Sequence, residues 1–226
     1  MKKPAQITSD IFKIGGSSES ATSDASIYLI KDGNMSAIVD AGTGDGSKIV
    51  LENIRLCDIE LSDIAYIFVT HCHFDHTGGI NSLREATGAK VVMHQKDAVF
   101  VSSGDMQVTA AKWYGKQMDP TPIDIIVNEK RKDFPLNKLN VTMYHIPGHS
   151  PGSVAFTVNS DGLLVLFGQD VHGPIDEATL RSNRVEYKKS LEFMMNLNAD
   201  ILCEGHYGVY TEQAEVRRFI KSFLGN

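Results

Sequence analysis

The order of apolar segments predicts an α/β (α+β) chain in which two βα-type halves pack face to face. Three observations predict it. Short Ile- and Val-rich runs bounded by Gly, Asp and Asn recur through both halves. Amphipathic helical patterns fall between or after them. No linker-like or low-complexity stretch divides the 226 residues, so both halves belong to one domain, 1–226.

In the first half, residues 11–14, 26–30, 37–39, 64–69 and 91–94 read as strands. Residues 48–55 form a helical stripe through Ile49, Val50, Leu51 and Ile54. Residues 79–86 read as a second helix, stopped by Gly88. In the second half, 123–127, 141–146, 154–158 and 163–167 read as strands. Helices over 187–196 and 212–223 flank a short apolar piece at 201–202. Residues 102–122, with Met106, Trp113, Tyr114, Met118 and Pro120, break this rhythm. They read either as a surface helix with its apolar side docked or as a lid over a cleft, since long connections are often functional.

Composition excludes several classes. A formal net charge of −6 argues against a nucleic-acid partner, which would favour a basic face. The three cysteines, Cys57, Cys72 and Cys203, are no disulfide framework and are expected to remain thiols in a reducing cytoplasm. The basic start Met1-Lys2-Lys3 is followed by polar residues instead of an apolar signal core, and no apolar run reaches membrane-spanning length. A cytoplasmic chain without a membrane partner is expected; self-association as a homo-oligomer stays open.

The chemistry concentrates in Thr70-His71-Cys72-His73-Phe74-Asp75-His76-Thr77-Gly78-Gly79. Three imidazoles and a carboxylate lie within six residues, directly after an apolar run, and each is a first-row metal ligand. Structural zinc sites favour closed thiolate sets; His and Asp suit a metal that keeps a position open for water. Three later segments repeat the pattern of strand, loop, then ligand: His149 in Pro147-Gly148-His149-Ser150-Pro151, Asp170 after Phe167-Gly168-Gln169, and His206 in Glu204-Gly205-His206-Tyr207. Asp40, also at a strand end, is placed to accept a hydrogen bond from a ligand imidazole. Taken singly, His149 or His206 reads as a structural histidine and Asp170 as a cap or turn residue; the set in this order carries the signal. Cys72, between two ligands, reads as core. His94 and His145 read as structural.

These residues resemble the metallo-β-lactamase superfamily of metallohydrolases, through His71-x-His73-x-Asp75-His76 followed by His149, Asp170 and His206. The resemblance implies a four-layer αββα sandwich with the site at one edge of the two sheets. It implies two divalent ions, zinc first, with iron or manganese as the other options. His71, His73 and His149 would hold one, Asp75, His76 and His206 the other, and Asp170 would bridge them. The implied reaction is hydrolysis by a metal-bound hydroxide, formed because coordination lowers the pKa of water towards about 7. Asp75 would be the catalytic carboxylate, orienting that hydroxide and passing a proton to the leaving group.

Asp170 directs the choice within the family, because true β-lactamases of this fold lack a bridging aspartate there. The full ligand set looks more like hydroxyacylglutathione hydrolases (glyoxalase II) and lactonases, so the expected partner is a small-molecule acyl substrate: a thioester, ester or lactone. Classical glyoxalase II carries an extra C-terminal helical region that contributes to glutathione binding; here one predicted helix follows His206. His172, two residues past Asp170, reads either as a substrate contact or as a loop histidine bonded to backbone. Tyr207 reads either as an oxyanion donor or as packing. The alternative function is a mononuclear iron persulfide dioxygenase on the same fold. A phosphodiesterase or β-lactamase ranks below it.

Overall fold

The computed structural model describes residues 4–225; Lys2 and Lys3 of the basic start lie outside the described residues. Two sheets form the centre. The first runs in chain order as β1 (Ala5–Gln6), β2 (Ile11–Gly15), β3 (Ile27–Ile30), β4 (Ser36–Val39), β5 (Ile64–Phe68), β6 (Lys90–His94) and β7 (Ile125–Val127). The second has β8 (Arg131–Pro135), β9 (Asn140–His145), β10 (Val154–Ser160), β11 (Leu163–Gln169), β12 (Ile201–Glu204) and β13 (Val209–Tyr210), ordered from β13 back to β8. Helices α1 (Ser47–Leu56), α3 (Ile80–Thr87) and α4 (Gln95–Ser103) accompany the first sheet; α5 (Arg184–Asn196) and α6 (Gln213–Ser222) accompany the second. A single turn, α2 (Phe74–Thr77), lies within the histidine cluster.

Period-two alternation explains why the layers stack as α-β-β-α. In β3, Ile27 and Leu29 join the core shared with the helices of the first half, while Tyr28 and Ile30 face the other sheet. In β11, Val165 and Phe167 point between the sheets and Leu166 points towards α5. Strands buried on both faces read as continuous apolar runs, as IYLI in β3 does. Each fully buried Ile or Phe in these layers contributes roughly 1.5–3 kcal/mol.

Several elements differ from the sequence reading. The segment 123–127, grouped there with the second half, supplies β7 of the first sheet, because Val92–His94 pairs in parallel with Ile125–Val127. Helix α4 was not expected: its run Ala98-Val99-Phe100-Val101 has β-branched residues and weak amphipathicity. Strand β8 was missed because it is a charged edge strand that buries only Phe134. Segment 102–122 contains one 3-10 turn at Ala111–Tyr114, not a full helix. All three cysteines are free and buried, and no helix among the described residues is long and apolar enough to cross a membrane.

Candidate metal centre

The sheet topology gathers the ligand-type residues at one edge. Strands β4 and β5 are parallel neighbours, as are β11 and β12, so their C-terminal ends lie together. Asp40, the 70–79 loop, Asp170 and His206 all follow those ends, and His149 enters on the turn joining β9 to β10. The 70–79 loop is held by backbone hydrogen bonds: Ala41 N donates to His76 O (2.9 Å), Phe74 N to Thr109 O (2.7 Å) and Val154 N to Thr70 O (2.8 Å). Its two glycines permit close packing, since a Cβ on Gly78 would lie 2.4 Å from Thr43 O and one on Gly79 2.1 Å from Ala41 O.

Two groups of side chains converge. In the first, one ligand atom from each of His71, His73, His149 and Asp170 lies within 4.8 Å of the others. His71 and His149 bring their Nε2 atoms to 3.2 Å, with Asp170 Oδ2 3.8 Å and 3.4 Å away. In the second, His206 Nε2 is 3.2 Å from Asp75 Oδ2 and 3.4 Å from Asp170 Oδ1, and His76 Nε2 is 3.7 Å and 3.2 Å from the same two oxygens. A tetrahedron with metal bonds of about 2.0–2.2 Å has edges of roughly 3.3–3.6 Å, so this spacing fits ligands around a common centre. Although 3.2 Å apart, His76 Nε2 and Asp170 Oδ1 are both buried without a hydrogen-bond partner. Such orphaned atoms are costly unless a cation satisfies them, and the donor set suits a first-row divalent ion.

The opposite ring nitrogens are held in place. Asp40 Oδ2 lies 2.6 Å from His76 Nδ1, and Asp40 also accepts from Thr70 N, Thr70 Oγ1 (both 2.8 Å) and Gln169 Nε2. His149 Nδ1 donates to Pro174 O at 2.9 Å, and His71 Nδ1 lies 3.0 Å from Thr70 Oγ1. These contacts leave Nε2 of His71, His76 and His149 facing inward. Asp40 and Gln169 adopt φ of 63° and 44°, a conformation uncommon for non-glycine residues and frequent at functional sites.

The charges divide unevenly. Burial, with repulsion from neighbouring imidazoles, holds His71 well below its usual value and lowers His73 to about 3. Burial opposes protonation of His76 too, but Asp170, Asp75 and Asp40 outweigh it and raise the ring well above its usual value. Burial is likewise outweighed at His206, where the Asp170 and Asp75 carboxylates push the ring up to about 10. Against the same burial, His76 draws Asp170 well below the carboxylate range.

Several contributing residues carried no role in the sequence reading. Fully buried Asp97 accepts from Cys72 N (2.8 Å), Ser150 Oγ (2.5 Å) and Gly152 N (2.5 Å), tying the first ligand loop to the His149 loop. Fully buried Glu204 accepts from His206 N (2.7 Å), Tyr207 N (2.8 Å) and His172 Nδ1 (2.7 Å). A faint signal existed for Glu204, an acid ending a strand two residues before His206. Asp97 sits amid an unremarkable helix start.

An open cleft of about 510 Å³ lies over the second group, lined by His73, Asp75, Asp170, His172 and His206 with Ala110, Trp113, Tyr114, Pro174 and Leu180. Segment 102–122 thus supplies one wall. Its base is docked through buried Val108, Thr109, Ala111 and Met118, and Trp113 remains 58% exposed. Burial, then the Asp75 carboxylate, pushes the Tyr114 phenol up. His172 is bonded to a carboxylate, not to backbone. Tyr207 is exposed against the His172 ring and does not line this cleft. Cys72 packs in the first core, and His94 and His145 stack on each other at 3.9 Å, apart from both groups.

The family described as the metallo-beta-lactamase superfamily matches residues 22–206. A probable metallo-hydrolase of Methanocaldococcus jannaschii is 29% identical over 145 residues, covering 64% of this chain and 66% of that protein. A hydroxyacylglutathione hydrolase of Albidiferax ferrireducens is 29% identical over 151 residues, covering 66% of this chain and 48% of that protein. The chain thus spans about two thirds of the length of the first relative and about half of the second. Among solved structures, a Cronobacter sakazakii metallo-beta-lactamase superposes with a TM-score of 0.83 at 19% identity, over 99% of this chain and 92% of that one. At that identity the likeness is one of fold.

Proposed function

The chain belongs to the metallo-beta-lactamase superfamily, and on that premise we propose that it is a two-metal hydrolase of a small acyl substrate: a thioester, ester or lactone. One observation carries the two-metal reading. The Asp170 carboxylate divides its oxygens, Oδ2 towards His71 and His149 and Oδ1 towards His76 and His206. A carboxylate so shared is suited to bridging. His71, His73 and His149 would hold one ion, and Asp75, His76 and His206 the other, with zinc the expected metal.

Bound ions of this kind supply Lewis acidity towards a carbonyl oxygen and lower the pKa of water. The remaining chemistry belongs to the chain. Asp75, drawn below its usual value by His76 and His206 against the effect of burial, is an ionised acceptor. From the cleft floor it can orient water and carry a proton to the leaving group. Tyr114, kept protonated by burial and by Asp75, can donate to negative charge developing on the substrate. No serine or cysteine nucleophile is needed, and Cys72, between two of the ligands in sequence, is buried in the core.

The acyl class is favoured over β-lactams by the aspartate at position 170, and over phosphodiesters by a cleft lined without lysine or arginine. The hydroxyacylglutathione hydrolase relative supports a thioester among these. The test is elemental analysis of the purified protein, combined with a panel of thioester, lactone, β-lactam and phosphodiester substrates. About two zinc-like ions per chain are expected, with thioester or lactone turnover that is lost in Asp75→Ala. One iron per chain with oxygen consumption on a persulfide, or full activity in Asp75→Ala, would sink the reading.

A further inference from the structure

A second open cleft, of about 780 Å³, lies apart from the metal centre. Lys96, Lys130 and Lys189 line it, with Pro147, Glu186 and Phe193 among its other walls. It shares no lining residue with the cleft over the ligand groups. The three lysines come from three separate elements: Lys96 from the first turn of α4, Lys130 from the connection between β7 and β8, and Lys189 from α5. The Lys130 backbone is fixed at the rim, because its carbonyl accepts from His145 N at 2.9 Å.

Nothing within the chain neutralises this convergence. Like charges brought together repel. Among the described residues Lys96 and Lys130 make no ion pair, and Lys189 reaches only Glu186, at 3.7 Å with both side chains exposed. Such a pair contributes little. The neighbouring acids are engaged elsewhere. Buried Asp97 accepts from Cys72 N, Ser150 Oγ and Gly152 N, and Glu129 pairs with Lys132 at 3.0 Å. Burial chiefly, with the Lys96 charge adding to it, holds both His94 and His145 below their usual values. Both rings are therefore neutral near pH 7, and the lysines set the sign of the cleft.

We propose that this cleft binds an organic phosphate, with a phosphoryl group of two or more negative charges among the three lysines and a flat apolar portion against Phe193. The inference does not depend on which bond the metal centre hydrolyses. Ammonium groups converging from three sides act as point charges and suit a tetrahedral oxyanion, whereas a planar carboxylate is matched by the arginine fork. Phe193 is 39% exposed and rests against Tyr144 at 5.4 Å between ring centroids, so its ring is held and partly uncovered. The volume is that of a small-molecule site and exceeds what a bare phosphate fills. A nucleic-acid strand would call for a longer basic stripe than three lysines flanked by Glu129 and Glu186.

Isothermal titration calorimetry at low salt is the test, with adenosine diphosphate, pyrophosphate, adenosine and a short single-stranded RNA as probes. Adenosine diphosphate is expected to bind once per chain and adenosine not measurably. Lys96→Gln and Lys130→Gln, both at exposed positions, should each weaken the diphosphate about tenfold, the scale of one hydrogen bond to a charged group. Phe193→Ala should weaken it about tenfold too, the scale of one base stacked on an aromatic ring, and leave pyrophosphate unchanged. Metal content and the circular dichroism spectrum should be the same in all three variants. No heat with adenosine diphosphate, or unchanged affinity in both lysine variants, would overturn the site. Binding that survives the lysine substitutions but disappears on chelation would place the anion at the metal centre and overturn it equally. Pyrophosphate as tight as adenosine diphosphate, with Phe193→Ala silent, would overturn the organic portion and leave an inorganic anion. RNA that binds more tightly than the diphosphate through the same lysines would overturn the small ligand.

Discussion

Asp40 Oδ2 lies 2.6 Å from His76 Nδ1, with both side chains fully buried. The carboxylate fixes a proton on Nδ1 and turns Nε2 towards Asp170. Because Asp40 also accepts from both donors of Thr70, it couples the ring's orientation to the start of the 70–79 loop. Asp40→Asn, with its oxygen kept on Thr70 N, would hold the shape but turn an NH2 towards His76, Thr70 Oγ1 and Gln169 Nε2, favouring the wrong tautomer. Metal affinity should fall about 10–100-fold, the usual effect of losing such a support. Competition against a chromophoric chelator measures it, and unchanged affinity would show that Asp40 does not govern the ring.

Gly205 makes room for the shared carboxylate. A Cβ there would stand 2.4 Å from Asp170 Oδ1 and 3.4 Å from His76 Cε1. Gly205→Ala should therefore push Asp170 off the second group, at a folding cost of about 1–3 kcal/mol for overpacking. Metal content by elemental analysis should drop while the circular dichroism spectrum persists. Retention of the full complement would mean that Asp170 is not needed for the second ion.

These two cases show what the sequence carries and what it does not. His71, His73, Asp75 and His76 could be singled out because four ligand-type side chains in six residues have few structural uses. His149, Asp170 and His206 could be singled out because each ends an apolar run at a loop. The two βα-type halves could be read from runs such as IYLI, whose burial on both faces is written locally, whereas the four-layer stacking was implied by the resemblance. Glu204, Asp97 and Gly205 could not be read in this way. Their roles are set by partners such as His172, Ser150 and Asp170, which only tertiary folding brings near. The transfer of 125–127 to the first sheet has the same origin, since pairing with β6 is a long-range choice.

The stacked pair His94 and His145, 3.9 Å between ring centroids, predicts acid sensitivity away from the metal centre. Burial, then His145 and Lys96, lowers His94 to about 4. Its value in the unfolded chain is about 6.5, so between the two the unfolded state binds the extra proton. Stability from this ring is full above about pH 6.5 and is lost as pH falls towards 4. Going from pH 7.5 to pH 5 should cost of order 2 kcal/mol through this group. His94→Asn keeps a side-chain acceptor for the Lys96 N–H that begins α4 and removes the titration. Urea unfolding of metal-free wild type and variant at the two pH values checks it; equal acid losses in both would refute the assignment.

Trp113 is the only tryptophan in the chain and stands 58% exposed on the cleft wall. It therefore offers a direct optical report on whatever enters. A non-hydrolysable thioether analogue of an acyl thioester should shift its emission to the blue as water leaves the indole face. The neighbouring Tyr114 contacts Phe74 of α2 at 5.7 Å between ring centroids, so the wall is anchored to the ligand loop through that residue and not through the indole. Trp113→Ala should then weaken binding without altering the reacting groups. KM is expected to rise roughly tenfold, the scale of one aromatic contact, with kcat unchanged, as for an interaction equal in ground and transition states. If kcat falls instead, the indole helps to position the substrate for reaction and the wall is more than a binding surface.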